Sequence, residues 1–242
     1  MIIQAFPSPI DLSLITTDEP LLPSVRTETV GGAAEIGGRS ALMVLMMLIA
    51  AASWNRMQDL IGQPDPITVL DFLGELGAFC FAAMVCLLAM LRLKPVRQAG
   101  GWAPLASALG GAFVLTIINY LPATALPQPI KLASVLMLAL GNLATVVCLA
   151  HLGRSFSVLP QARRLVCTGP YALVRHPLYV AEAVATIGMV LPHFGWMALG
   201  LVVTQFGLQY ARILFEEAVL SEAFPAYAAY TRLVPRFLPR LG

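Results

Sequence analysis

Charge is what this sequence has least of: Lys, Arg, Asp and Glu make up 12% of its 242 residues, against 58% hydrophobic ones. With a mean hydropathy of +0.79, that balance excludes an ordinary soluble domain, in which about half of the residues are apolar. The formal net charge is only +2, and no basic run is interleaved with aromatics, so the footprint that nucleic acid requires is missing. Cysteine is scarce too. Cys80, Cys86, Cys148 and Cys167 fall in no metal-ligand spacing, so no metal site is expected, and the first three, inside apolar segments, read as small unpaired hydrophobes. No repeat or low-complexity segment stands out, which tells against an inverted-repeat transporter. The start lacks the basic opening and continuous apolar core of a signal peptide, and residues 1–38, polar and bearing Pro7, Pro9, Pro20 and Pro23, read as a disordered tail.

What the chain does have is apolar runs. About 20 such residues cross a hydrocarbon core of roughly 30 Å as a helix. The candidates are 41–55, which is short, 72–91 with one acid at Glu75, 102–121, 132–150, and the pair 178–191 and 196–223, parted by Pro192 and Gly195 into a helical hairpin. The expected fold is all-α, a polytopic transmembrane bundle of about six spans closed by an amphipathic C-terminal helix. Positive residues gather in cytoplasmic loops. With the N-terminus inside, that side takes Arg92, Lys94, Arg97, Arg154, Arg163, Arg164, Arg175, Arg212, Arg232, Arg236 and Arg240, and the other only Arg56 and Lys131. Both termini are therefore expected in the cytoplasm.

The remaining polar groups are concentrated. In "TGPYALVRHPLYVAE", Thr168 to Glu182, Pro177 suits the first position of a helix, where its missing N–H costs nothing. The positive helix end with Arg175 and His176 would suit an anion; equally, Arg175 is a topogenic charge and His176 a cap. Downstream, Glu216 and Glu217 are neighbours on a helix, about 100° apart, so one can bind a ligand while the other braces. Arg212 and Glu216, at i and i+4, also read as a plain juxtamembrane ion pair. Tyr227, Tyr230 and the late arginines fit an interfacial anchor. Tyr179, Asn119 and Asn142 fit ordinary bundle glue. Glu182, inside a membrane helix, demands a partner or water.

"GPYALVRHPLY" followed by "EEAVLSEAFPAYAAYTRLVPRFLP", with "HLGRSFSVLP" upstream, resembles the isoprenylcysteine carboxyl methyltransferase family, itself similar to phospholipid N-methyltransferases. The resemblance spans about residues 145 to 240. It implies N-terminal transmembrane helices over 39–144 and a catalytic region over 145–242 that binds S-adenosylmethionine on the cytoplasmic side, with a lipophilic or prenylated acceptor entering from the membrane lipids. Gly169, Pro170 and Tyr171 would form a turn over the cofactor, Arg175, His176 and Pro177 would meet its methionine portion, and Tyr179 would line the pocket. Glu216 and Glu217 would hold its ribose or ammonium and orient the loop. Arg175 or Arg212 would hold a carboxylate acceptor, and Glu182 would take a proton from an amine acceptor. Two departures from the family pattern are Ala181-Glu182 after the motif's tyrosine and Phe224-Pro225 near the end.

Two other classes compete. Membrane sterol reductases are similar in their C-terminal region but use a nicotinamide cofactor, and their arginine-aspartate and lysine-tyrosine-glycine tail pattern is missing here. A non-enzymatic membrane subunit would spread polar residues along a pore face, whereas these crowd one membrane edge.

Overall fold

The computed structural model describes residues 27–28, 32–62 and 66–239; of the tail expected to be disordered over 1–38, residues 27–28 are instead a strand and 32–38 the start of a helix, and the rest lies outside the described residues. Among the described residues seven α-helices follow one another: α1 (Gly32–Leu60), α2 (Pro66–Leu91), α3 (Trp102–Phe113), α4 (Gln128–Leu152), α5 (Pro177–Val190), α6 (Trp196–Ala223) and α7 (Ala226–Leu233). A small antiparallel sheet departs from the all-α expectation. In it β2 (Arg97–Ala99) lies between β1 (Thr27–Glu28) and β3 (Gln161–Ala162), with Thr27 opposite Ala99 and Arg97 opposite Ala162.

Among the described residues three segments are long and apolar enough to cross a bilayer: Asp71–Leu91, Gln128–Ser155 and Trp196–Ala223. The other apolar runs differ from the six-span expectation for physical reasons. The run 41–55 belongs to a longer α1 carrying Glu35, Arg39, Arg56 and Asp59. The run 102–121 breaks after Phe113 into a 3-10 helix, Val114–Tyr120, where Val114, Ile117 and Ile118 are β-branched and poor helix formers. At 14 residues, α5 reaches only about 21 Å. The hairpin stands as expected: Pro177 opens α5, Leu191–His193 forms a single 3-10 turn, and Gly195 precedes α6.

The charges sort to one end. Arg39 donates to the Met90 carbonyl at 2.6 Å, Arg154 Nε to Leu91 at 2.7 Å, and Arg97 stands 3.9 Å from Glu222 at the end of α6. At the opposite end Arg56 pairs with Glu75 at 2.7 Å, which answers how an acid is tolerated in α2. The core packs Met46 of α1, Val85 and Leu88 of α2 and Leu149 of α4 against Phe156 and Leu178.

Helices α4 and α5 lie almost backbone to backbone. A Cβ added at Gly141 would fall under 3.0 Å from the Ala185 N and Cα, and one at Gly188 would strike the Ser134 carbonyl, while Ser134 Oγ donates to the Gly188 carbonyl at 2.7 Å. Small residues set this approach. Gly141→Ala is expected to force the pair apart at a cost of about 1–3 kcal/mol, read as a lower melting temperature in detergent. An unchanged melting temperature would contradict the close packing.

Candidate functional site

The Thr168–Glu182 stretch turns through a 3-10 segment, Gly169–Ala172, into α5. Gly169 has φ +61, and a Cβ there would enter the His151 ring, so only glycine fits both backbone and neighbour. The C-terminal segment straps the turn down. Arg175 N donates to Pro235 O at 2.8 Å, His176 N to Arg236 O at 3.2 Å, and Tyr230 OH to Tyr171 O at 2.5 Å.

Glu217 is the hub of this strap, only 1% exposed. His176 Nε2 donates to its Oε1 at 3.0 Å; Arg236 grips both oxygens, Nε to Oε1 at 3.1 Å and Nη2 to Oε2 at 2.5 Å; Arg175 Nη2 stands 3.5 Å from Oε1. A carboxylate only accepts, so His176 carries its proton on Nε2. The hydrogen bonds to Glu217 raise the Arg236 guanidinium above its usual range, with burial opposing.

Glu216 points elsewhere. Its Oε1 accepts from Tyr179 OH at 2.7 Å and from Arg212 Nε at 3.0 Å, while Arg212 Nη2 donates to the Ser157 carbonyl at 3.1 Å and its guanidinium lies 5.3 Å from the Tyr179 ring centroid. The i,i+4 pair exists, but with Arg212 buried it is not the solvent-screened surface pair that spacing alone suggests. Tyr227 and Tyr230 also depart from the interfacial expectation: they are 1% and 2% exposed, because α7 folds back under the turn. Burial raises the pKa of both phenols well above the usual range, leaving them protonated donors.

Two cavities meet here. A smaller one of about 100 Å³ is bordered by Tyr171, Arg175, His176, Tyr179, Arg212 and Glu216. A larger one of about 740 Å³ runs between the helices and takes in Glu182, whose Oε2 accepts from Gln209 Nε2 at 2.9 Å. Phe156, Leu178 and Arg212 border both. Gly169, Pro170, Pro177 and Glu217 border neither; they shape the turn. Asn142 donates to the Gly74 carbonyl at 3.4 Å, as bundle glue; the Asn119 side chain lies outside the described residues.

Sequence reasoning missed Ser155 and Gln205, and it read Tyr227 and Arg236 as interfacial anchors and not as site residues. Around the smaller cavity Ser155 Oγ, Tyr171 OH, Arg175 Nε and Tyr227 OH are buried without a hydrogen-bond partner among the described residues. Such groups are costly to leave unpaired and suit a polar ligand. The available signal was the polar stripe Gln205, Gln209, Arg212, Glu216 along α6, spaced to share one helix face. Nothing local marks Ser155 or Arg236.

Cys167, just before the turn, is partly buried, and burial lifts its thiol to about 11. Only the thiolate attacks, so maleimide labelling at neutral pH is expected to spare Cys167 in the folded protein and to reach it once the protein is unfolded. Rapid labelling at neutral pH would contradict that burial.

Residues 130–227 match the phospholipid methyltransferase family. Two curated proteins are similar over part of the chain. The cobalt-zinc-cadmium resistance protein CzcN of Cupriavidus metallidurans is 40% identical over 119 residues, covering 45% of this chain and 52% of that protein. The nickel-cobalt-cadmium resistance protein NccN of Alcaligenes xylosoxydans xylosoxydans is 34% identical over 114 residues, covering 45% and 53%. The chain thus spans about half the length of the curated relatives it matches.

Proposed function

We propose that the chain, whose residues 130–227 match the phospholipid methyltransferase family, is an integral-membrane S-adenosylmethionine-dependent methyltransferase. Its acceptor is lipophilic, and the reaction is carboxyl O-methylation of an isoprenylcysteine-like or other lipid acid. The supporting observation is that Arg212 borders both the small cavity at the charged end and the large one between the helices.

The smaller cavity's residues fit the cofactor chemically. Ser155, Tyr171, Arg175 and Tyr227 offer unpaired donors to its carboxylate and hydroxyls, and Glu216 offers charge to its ammonium or a partner to its ribose. At about 100 Å³ the space is below the roughly 300–1,000 Å³ of small-molecule sites, so binding requires the strap over residues 234–237 to give way. When bound, S-adenosylmethionine supplies a methyl group on a sulfonium sulfur, which keeps the C–S electron pair as the acceptor oxygen forms its bond to carbon. Arg212 holds the acceptor carboxylate at the junction, and the helices exclude water. Proximity and alignment of this kind account for up to about 7–11 kcal/mol of a barrier.

Glu182 favours a second reading, N-methylation of a phospholipid amine, because a carboxylate braced by Gln209 in the acceptor cavity can take the amine proton. An ester removes a negative charge from a membrane lipid and an N-methyl group removes a hydrogen-bond donor from its headgroup, either of which is a route by which such chemistry bears on the metal resistance for which the two relatives are named. Purified protein, methyl-labelled cofactor and a lipid or prenylcysteine extract test the reading. Label released as methanol by base marks an ester, base-stable label an N-methyl group, and no incorporation overturns both.

In the membrane we place six crossings, the three long helices joined by α1, by α3 with its 3-10 extension, and by α5, short by itself but lengthened by the 3-10 turn Leu191–His193, with both termini and the turn over 151–177 in the cytoplasm. Ser157→Cys in sealed vesicles is expected to label from the cytoplasmic face. Labelling from the outer face alone would reverse the orientation.

A further inference from the structure

A chain of hydrogen bonds runs from the small sheet to Arg212. The guanidinium donates from Nη2 to the Ser157 carbonyl at 3.1 Å, and Ser157 Oγ donates to Gln161 Oε1 at 2.8 Å. The same oxygen accepts from Arg163 Nη2 at 2.6 Å, while Gln161 Nε2 donates at 3.1 Å to Oε1 of Gln98, its register partner on β2. We propose, on the reading that Arg212 holds the acceptor carboxylate, that Gln161 is a positioning residue for methyl transfer: it restrains Ser157, and through the Ser157 carbonyl it aims the Arg212 fork.

The Gln161 amide stands only one way. A guanidinium has donors and no acceptor, so the atom facing Arg163 Nη2 is the oxygen, and the nitrogen is left for Gln98. Both lone pairs of that oxygen are taken by Ser157 and Arg163, so although Gln161 borders the smaller cavity, its oxygen has nothing left to offer a ligand. Arg212 needs support of this kind. Its Nε partner, Glu216, sits one turn along the same helix, and a partner that moves with α6 cannot hold the guanidinium relative to the rest of the site. The Ser157 carbonyl ties it to a different part of the chain. Ser157 itself lies outside any helix or strand, between the 3-10 turn Gly153–Ser155 and β3, so the bond from its hydroxyl to the sheet-anchored Gln161 restrains the peptide on which Arg212 rests.

Backbone pairing separates this role from the fold. Val96 N donates to the Ala162 carbonyl at 2.8 Å and Ala99 N to that of Pro160 at 3.0 Å. β3 therefore stays on β2 when the amide is removed, and what is lost is the hold on Ser157 and Arg163.

Gln161→Met is expected to lower turnover in methyl transfer about tenfold, within the range for a reactant held about 1 Å out of place, and to leave S-adenosylhomocysteine affinity within about twofold of wild type. Ser157→Ala, which keeps the carbonyl and removes the hydroxyl, should do the same, and it decides the matter alone if Gln161→Met is recovered unfolded. Gln161→Glu should recover most of the rate, because its carboxylate still accepts from Ser157 and Arg163 and the Gln98 amide can turn to donate to it. The readout that a merely structural role would not move is epistasis. In an Arg212→Met background neither Gln161→Met nor Ser157→Ala should lower the rate further, since a brace with nothing to aim has no effect on the chemistry. Wild-type turnover in both single variants, no recovery in Gln161→Glu, or an equal further loss in the Arg212→Met background overturns the positioning role while leaving methyl transfer itself intact. If Arg212→Met keeps the wild-type rate, or the wild-type protein transfers no methyl group to a lipid acid, the acceptor reading fails and the positioning role falls with it.

Discussion

Glu217→Gln is expected to destabilise the fold by about 3–5 kcal/mol, the usual cost of removing one partner from a buried ionic cluster, and to lower the melting temperature by roughly 10 °C. The carboxylate joins three parts of the chain far apart in sequence: α6, the His176 end of α5 and the Arg236 strap. A glutamine keeps one acceptor but turns an NH2 towards donors, leaving Arg236, Arg175 and His176 facing a neutral group. Glu216→Gln is the matched control. Its side chain is 20% exposed and holds only Arg212 and Tyr179, so its loss of stability should be clearly smaller. Thermal unfolding of both variants in one detergent decides it; equal shifts would contradict the assignment of Glu217 as the brace.

Arg212→Met is expected to lower methyl transfer by about 10²–10³, the scale seen when one preorganised electrostatic donor is removed from an active site. Its fork touches Glu216 and Ser157 O while its face rests on Tyr179. Arg212→Lys should recover little, because an ammonium cannot reproduce a planar fork that both stacks and bridges. Initial rates, measured beside cofactor affinity, separate acceptor orientation from cofactor binding. A rate within threefold of wild type would remove Arg212 from the chemistry and favour an acceptor amine, which needs no cation beside it.

Local chemistry made the hairpin readable. Pro177 at the start of α5, and Pro192 and Gly195 between α5 and α6, act within a turn of where they stand. The adjacent glutamates also implied a division of roles, since neighbours on a helix cannot face one point. The strap was not readable, because Arg236 meets Glu217 only once α7 has folded under the turn. For the same reason Tyr227 and Tyr230, amphipathic in sequence, end in the interior. The sheet was hidden by its size, with strands of two or three residues too short to show any alternation. Ser155 gained meaning only from the empty space beside it.

Calorimetric titration of purified protein with S-adenosylhomocysteine tests the central claim most directly. Saturable binding is expected in wild type, weakened in Glu216→Gln and in Arg175→Met, with a folded-state stabilisation of about 2.7 kcal/mol at a hundredfold excess over Kd. A nicotinamide dinucleotide should give neither heat nor stabilisation. Wild-type affinity in both variants, or binding of the dinucleotide in place of S-adenosylhomocysteine, would contradict the cofactor site described here.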